Sequence, residues 1–149
     1  MMSRRKARVL AFQALYWFDA MPEPLPLERL LSFDWEAEKP EEDAAVIFAR
    51  ALTAGTIENL DVIDEKIKEN LINWSFSRLK RVDLAILRIS AYSLLFQKDI
   101  PDSVVIEEAI GICKDYGEEG SFKFVNAMLD SIKKRRGPPA SPQTLGVEV

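Results

Sequence analysis

The sequence predicts an all-α fold, a single-domain bundle of about seven helices packed around a buried central one. Three observations carry this. Apolar residues recur at helical spacing in one segment after another, no stretch alternates apolar and polar residues long enough to make a strand, and residues 81–97 are apolar nearly all round. At 149 residues and 48% hydrophobic composition, the chain is long enough for one substantial core and too short for two ordinary domains. The expected division is a helical domain over residues 1–136 and a disordered Pro-rich tail over residues 137–149.

The first helix is expected from an N-cap at Ser3 to Asp19 or Ala20, with Ala7, Leu10, Ala11, Ala14, Leu15 and Phe18 forming its inner stripe. Arg5, Arg8, Phe12 and Tyr16 line another side, and Arg4 stands one turn before Arg8. Arginines beside aromatics on a docked helix can grip a phosphate backbone and stack on unpaired bases, although a basic first turn is often only a solvated one. Three prolines between Met21 and Pro26 end this helix, and Pro26 opens a short one containing Leu27, Leu30 and Leu31. From Glu41 a third helix turns Ala45, Phe48, Ala49, Leu52 and Ile57 inward. A break at Asn59-Leu60-Asp61 separates it from a fourth built on Leu60, Ile63, Ile67 and Leu71.

Asn73-Trp74-Ser75 is expected as a connection with Trp74 packed and Ser75 or Ser77 capping the next helix. That helix, Arg81 to Gln97, has too little polar surface to lie anywhere but the centre. Arg88 within it is better suited to a carboxylate partner than to a free role. Asp102 or Ser103 is expected to cap the sixth helix and Gly117 to end it, and the seventh should run from Gly120 to Lys134 with Phe122, Val125, Met128, Leu129 and Ile132 in turn.

The net charge of −4 is unevenly spread: residues 1–20 carry +3, 21–70 carry −8 and 71–100 carry +3. This fits a basic binding face on an acidic molecule. With no histidine, the commonest general base and most nucleophile pairs and zinc sites are absent, and Cys113 sits in an apolar helical context. A catalytic role, a metal and a cofactor are therefore not expected. A single cysteine excludes an intramolecular disulfide, and no apolar run reaches the roughly 20 residues that span a bilayer, so a cytoplasmic location without membrane contact is expected.

Three stretches together resemble the NusB family of transcription antitermination factors. They are Arg4-Arg5-Lys6-Ala7-Arg8 with Gln13-Ala14-Leu15-Tyr16; Arg81-Val82-Asp83-Leu84-Ala85-Ile86-Leu87-Arg88-Ile89 with Ala91-Tyr92 and Leu94; and Ile100-Pro101, Val104 to Ala109 and Gly117 joined to Ser121-Phe122-Lys123-Phe124-Val125-Asn126. In this order they cover roughly residues 3–134. The resemblance implies two helical subbundles around the central helix, and an adaptor that binds boxA RNA of ribosomal RNA leader transcripts with the ribosomal protein NusE. Other Nus factors and RNA polymerase join through the complex.

By position, the resemblance places Arg4, Arg5, Lys6, Arg8, Gln13 and Tyr16 on the RNA side, joined by Ser121, Lys123 and Phe124. For NusE it points to the exposed part of the central helix, with Asp83 leading and Arg78 and Lys80 beside it. Phe124 is suited either to stacking on a base or to completing the core beside Val125, Tyr16 to a base edge or a local carbonyl, and Asp83 to a partner or to Lys80. Gly120, Phe122 and Ala127 depart from the residues common in the family. Two other readings stay open: a homodimeric scaffold that hides the RNA surface, and an RNA-binding module related to that of ribosomal RNA cytosine methyltransferases.

Overall fold

The computed structural model describes residues 2–137, so the tail expected over residues 137–149 lies, beyond Gly137, outside the described residues. The described residues form seven α-helices and one 3-10 turn, with no strand among them: α1 Arg4–Ala20, α2 Leu27–Ser32, α3 Ala44–Glu58, α4 Leu60–Asn70, the turn Phe76–Arg78, α5 Arg81–Phe96, α6 Asp102–Tyr116 and α7 Ser121–Arg135.

Local chemistry sets the first boundaries. The Ser3 hydroxyl accepts from the Lys6 amide at 3.0 Å and starts α1. Asp43 starts α3 by accepting from the Val46 amide at 3.0 Å, and its second oxygen takes the Met2 amide at 3.3 Å, tying the chain start to α3. Asn59 is both the end of α3 and the cap position of α4, and its side-chain amide donates to the Gly55 carbonyl at 2.8 Å.

α5 is the centre, as the sequence predicts: every residue from Asp83 to Phe96 is buried. It packs against α1, α3, α4, α6 and α7. Two apolar clusters lie around it. The larger joins α5 to α1, α4, α6 and α7 through residues such as Leu15, Ile67, Ile86, Ile112 and Leu129. The smaller, of Ala7, Leu10, Ala14, Leu30, Phe33, Ala45 and Ala49, holds α1, α2 and α3 together. α1 contributes to both, so its position is fixed from two sides.

Several boundaries differ from expectation. Trp74 is half exposed rather than packed. Ser75 and Ser77 cap nothing with their side chains; Lys80 occupies the cap position of α5, and Asp83 supplies the acidic group of its first turn. Pro101, with φ −58° and ψ 139°, occupies the cap position of α6, so Asp102 is the first helical residue and its carboxylate is free to pair elsewhere. Gly117 ends α6 in an extended conformation, φ −88°, not a left-handed one, while the left-handed residue is Gly120 at φ +87° just before α7. Cys113 is buried in the core, which pushes its thiol up to about 12 and leaves it a packing residue.

Candidate nucleic-acid interface

The cations at the start of α1 go to different places. Arg4 is exposed and lies 4.3 Å from the centre of the Phe48 ring on α3, with no carboxylate partner among the described residues. The Arg5 Nε and Nη2 face the Glu108 carboxylate of α6 as a two-pronged pair, Nη2 to Oε1 measuring 3.3 Å, and this raises the Arg5 pKa. Lys6 reaches Glu36 at 2.9 Å in the loop after α2, and the Trp35 indole donates to Gln13 at 3.0 Å beside it.

Arg8 departs from the expected outer face. Only 8% exposed, it points inward beneath Phe48, 5.1 Å from the ring centre, toward Leu52, Ile89, Ser93 and Ile112, and burial lowers its pKa. Phe12, at 4% exposure, is likewise part of the core, packed 5.3 Å from the Tyr116 ring. The reason lies in the helical period: Arg8 shares its face with the buried Ala11 and Leu15, three and seven residues on. Tyr16 is half-buried, edge-on to Trp17 at 5.8 Å, and its hydroxyl bonds to no described residue.

The start of α7 meets the 72–80 connection in a groove of about 460 Å³. Ser121 and Phe124, expected on the RNA side, and Arg78, Lys80 and Asp83, expected on the NusE side, all line it, so the two expected sites share one cavity. Ile72 and Trp74 form its apolar wall, and Arg78 stacks 5.3 Å from the Trp74 ring centre. Asp83 is a correction to the expected exposed position. It is 6% exposed on the groove floor, where Ser121 donates to it at 3.5 Å and burial raises its pKa. Lys80 does not pair with Asp83 but reaches out to Glu118. Phe124 is half-buried, packed on the core and facing the groove at once, so both of its expected roles fit its position. Lys123 is exposed and has no ion-pair partner among the described residues.

α1 and α7 are joined across α6 rather than packed directly on one another. Arg5 meets Glu108, Phe12 meets Tyr116, and Lys114 covers the Phe122 ring at 4.9 Å, three contacts along one helix. Phe122 is thus an apolar seat for a lysine. Nothing local in the sequence marks Glu108 for its contact, since its partner Arg5 lies 103 positions away.

The deciding comparison is with a family model. The NusB family model matches residues 5–134. This chain belongs to the NusB family. The transcription antitermination protein NusB of Treponema denticola is 50% identical over 133 residues, covering 89% of this chain and 96% of that protein. The NusB protein of Bacillus licheniformis is 42% identical over 132 residues, covering 89% and 97%. Among solved structures, T. maritima NusB matches with a TM-score of 0.82 at 40% identity, over 92% of this chain and 94% of that one. A structure of the antitermination factors NusB and NusE in complex with dsRNA matches with a TM-score of 0.78 at 31% identity, over 90% and 98%. Arg88 has the carboxylate partner that its apolar surroundings predict: Nε and Nη2 donate to Asp64 at 3.0 and 2.9 Å.

Proposed function

We propose that this chain is a transcription antitermination factor that binds boxA-type RNA of ribosomal RNA leader transcripts together with NusE. It then helps RNA polymerase, with the other Nus factors, to pass terminators, and it acts in the cytoplasm where transcription takes place. The observation that carries the reading is the match over nearly the whole chain to a NusB solved with NusE and dsRNA.

The local chemistry supports it. Arg4, Arg78 and Lys114 rest on aromatic rings rather than on carboxylates, so their charge stays available to phosphate. Lys123 is exposed, and Phe124 and Trp74 offer ring faces for unpaired bases. The shared groove, apolar on one wall and charged at its mouth, gives RNA and a protein partner a common border.

A titration of boxA-like RNA with and without NusE tests this. The RNA is expected to bind more tightly with NusE present and to weaken with salt. Arg5→Ala combined with Lys123→Ala should lower the salt slope by about 1.4, since each phosphate contact to a single strand contributes about 0.7. RNA binding that is indifferent to NusE would sink the adaptor reading, and an unchanged salt slope would sink the assignment of the two cations.

A further inference from the structure

We propose that Gly111 and Glu108 of α6 are positioning residues that together seat the Arg5 guanidinium for RNA; this rests on the RNA-binding reading above. The two lie three residues apart on one face of α6, and Arg5 reaches them from α1. Glu108 takes the Nε and Nη2 edge. Gly111 leaves room for the Nη end. A Cβ built there would fall 2.5, 2.6 and 2.7 Å from Nη1, Nη2 and Cζ, so the end of the guanidinium lies against the glycine where any side chain would displace it.

A guanidinium has five N–H donors, and the Glu108 fork uses two. Glu108 takes one edge and the Nη end rests beside Gly111, and the Nη1 and remaining Nη2 hydrogens make no hydrogen bond to a described residue. Those hydrogens are the fork that matches two phosphate oxygens or the acceptor edge of a guanine. An arginine so held gives up less side-chain freedom on binding than a free one. The Arg5 side chain nevertheless remains 43% exposed, so the seat orients the group without hiding it.

Gly111 gives a clean test, because the atoms an added Cβ would meet belong to the far end of a flexible side chain and not to the backbone. Gly111→Ala should fold and should displace only the guanidinium. In the wild-type protein the Arg5 Nε–H should give a slowly exchanging resonance in ¹⁵N–¹H NMR, and this should be lost in both Gly111→Ala and Glu108→Gln. With NusE present, Gly111→Ala should weaken boxA-like RNA about as much as Arg5→Ala does, about tenfold for one charged contact, with no further loss in the double variant.

Other results overturn the proposal. Wild-type affinity in Gly111→Ala, or an equal loss from that change in an Arg5→Ala background, means Gly111 does not act through Arg5. Tighter RNA binding by Glu108→Gln means the carboxylate competes with phosphate instead of placing the arginine. If Arg5→Ala alone leaves RNA affinity unchanged, the seat serves no RNA although the functional reading stands. If the wild-type protein binds no boxA-like RNA even with NusE, that reading fails and takes the proposal with it, while the NMR signal still reports whether the seat exists.

Discussion

The α4–α5 seam and the α1–α6 rim are each closed by an arginine–carboxylate fork, and the two differ mainly in water. Arg88 and Asp64 expose 7% and 17% of their side chains, whereas Arg5 and Glu108 expose 43% and 22%. In the seam both charges have lost most of their hydration, and each depends on the other to be tolerated there. At the rim, solvent screens the pair and holds both ions comfortably if they part. The same chemistry is therefore architectural in one place and available for exchange in the other. Arg136 and Asp102, at 14% and 31%, stand between the two.

The widest effect is expected in the seam. Asp64→Ala leaves the Arg88 guanidinium buried with Asp19 as its remaining carboxylate among the described residues, 3.7 Å from Nη1, an atom that already lacks a hydrogen bond. A loss of about 3–5 kcal/mol in unfolding free energy by urea titration is expected, the usual cost of removing one partner of a buried pair. A loss below about 1 kcal/mol would mean that water reaches Arg88 and that the contrast with the rim is false.

The intermediate pair should show itself through pH. The Arg136 guanidinium bonds both Asp102 oxygens at 2.8 Å and holds that carboxyl below its usual range. A carboxyl whose pKa is lower folded than unfolded stabilises the fold fully above the unfolded value, about 3.9, and loses this as pH falls through the folded value. Asp102→Asn should therefore be less stable than wild type at pH 6, and the gap should close progressively below about pH 4. A gap that stays constant from pH 6 to pH 2 would show that Asp102 contributes through packing and not through charge.

These three forks also mark how far the sequence could be read. The seven helices, the central position of Arg81 to Phe96 and the carboxylate partner of Arg88 follow from periodicity, since a charged residue inside an apolar run must be paired wherever the chain goes. Arg8 shows the limit of the same signal. It lies with Ala11 and Leu15 on the buried face, whereas its charge predicts the basic surface. Asp83 is expected on an exposed part of α5, but the helix start there is covered by the 72–80 connection and the beginning of α7. That cover is tertiary, and no residue next to Asp83 announces it. Glu108 stands inside a stretch that resembles the family and Gly111 just beyond it, yet their meeting with Arg5 depends on how α1 crosses α6, a geometry that spacing along either helix does not encode.

The smallest stability effect is expected at the rim, and its smallness is what gives it meaning. Glu108→Gln removes the charge from an exposed fork while keeping the side chain's size, so thermal and urea unfolding should move by no more than about 1 kcal/mol. The α1–α6 contact does not rest on this pair, because Phe12 and Tyr116 hold the same two helices together through their rings. A large loss of stability would place the rim fork in the same architectural class as Arg88 and Asp64 and remove the distinction between them. A small one, together with lost RNA affinity, separates the two forks by function: one arginine is spent on the fold, and the other is held in place for a partner that the fold does not contain.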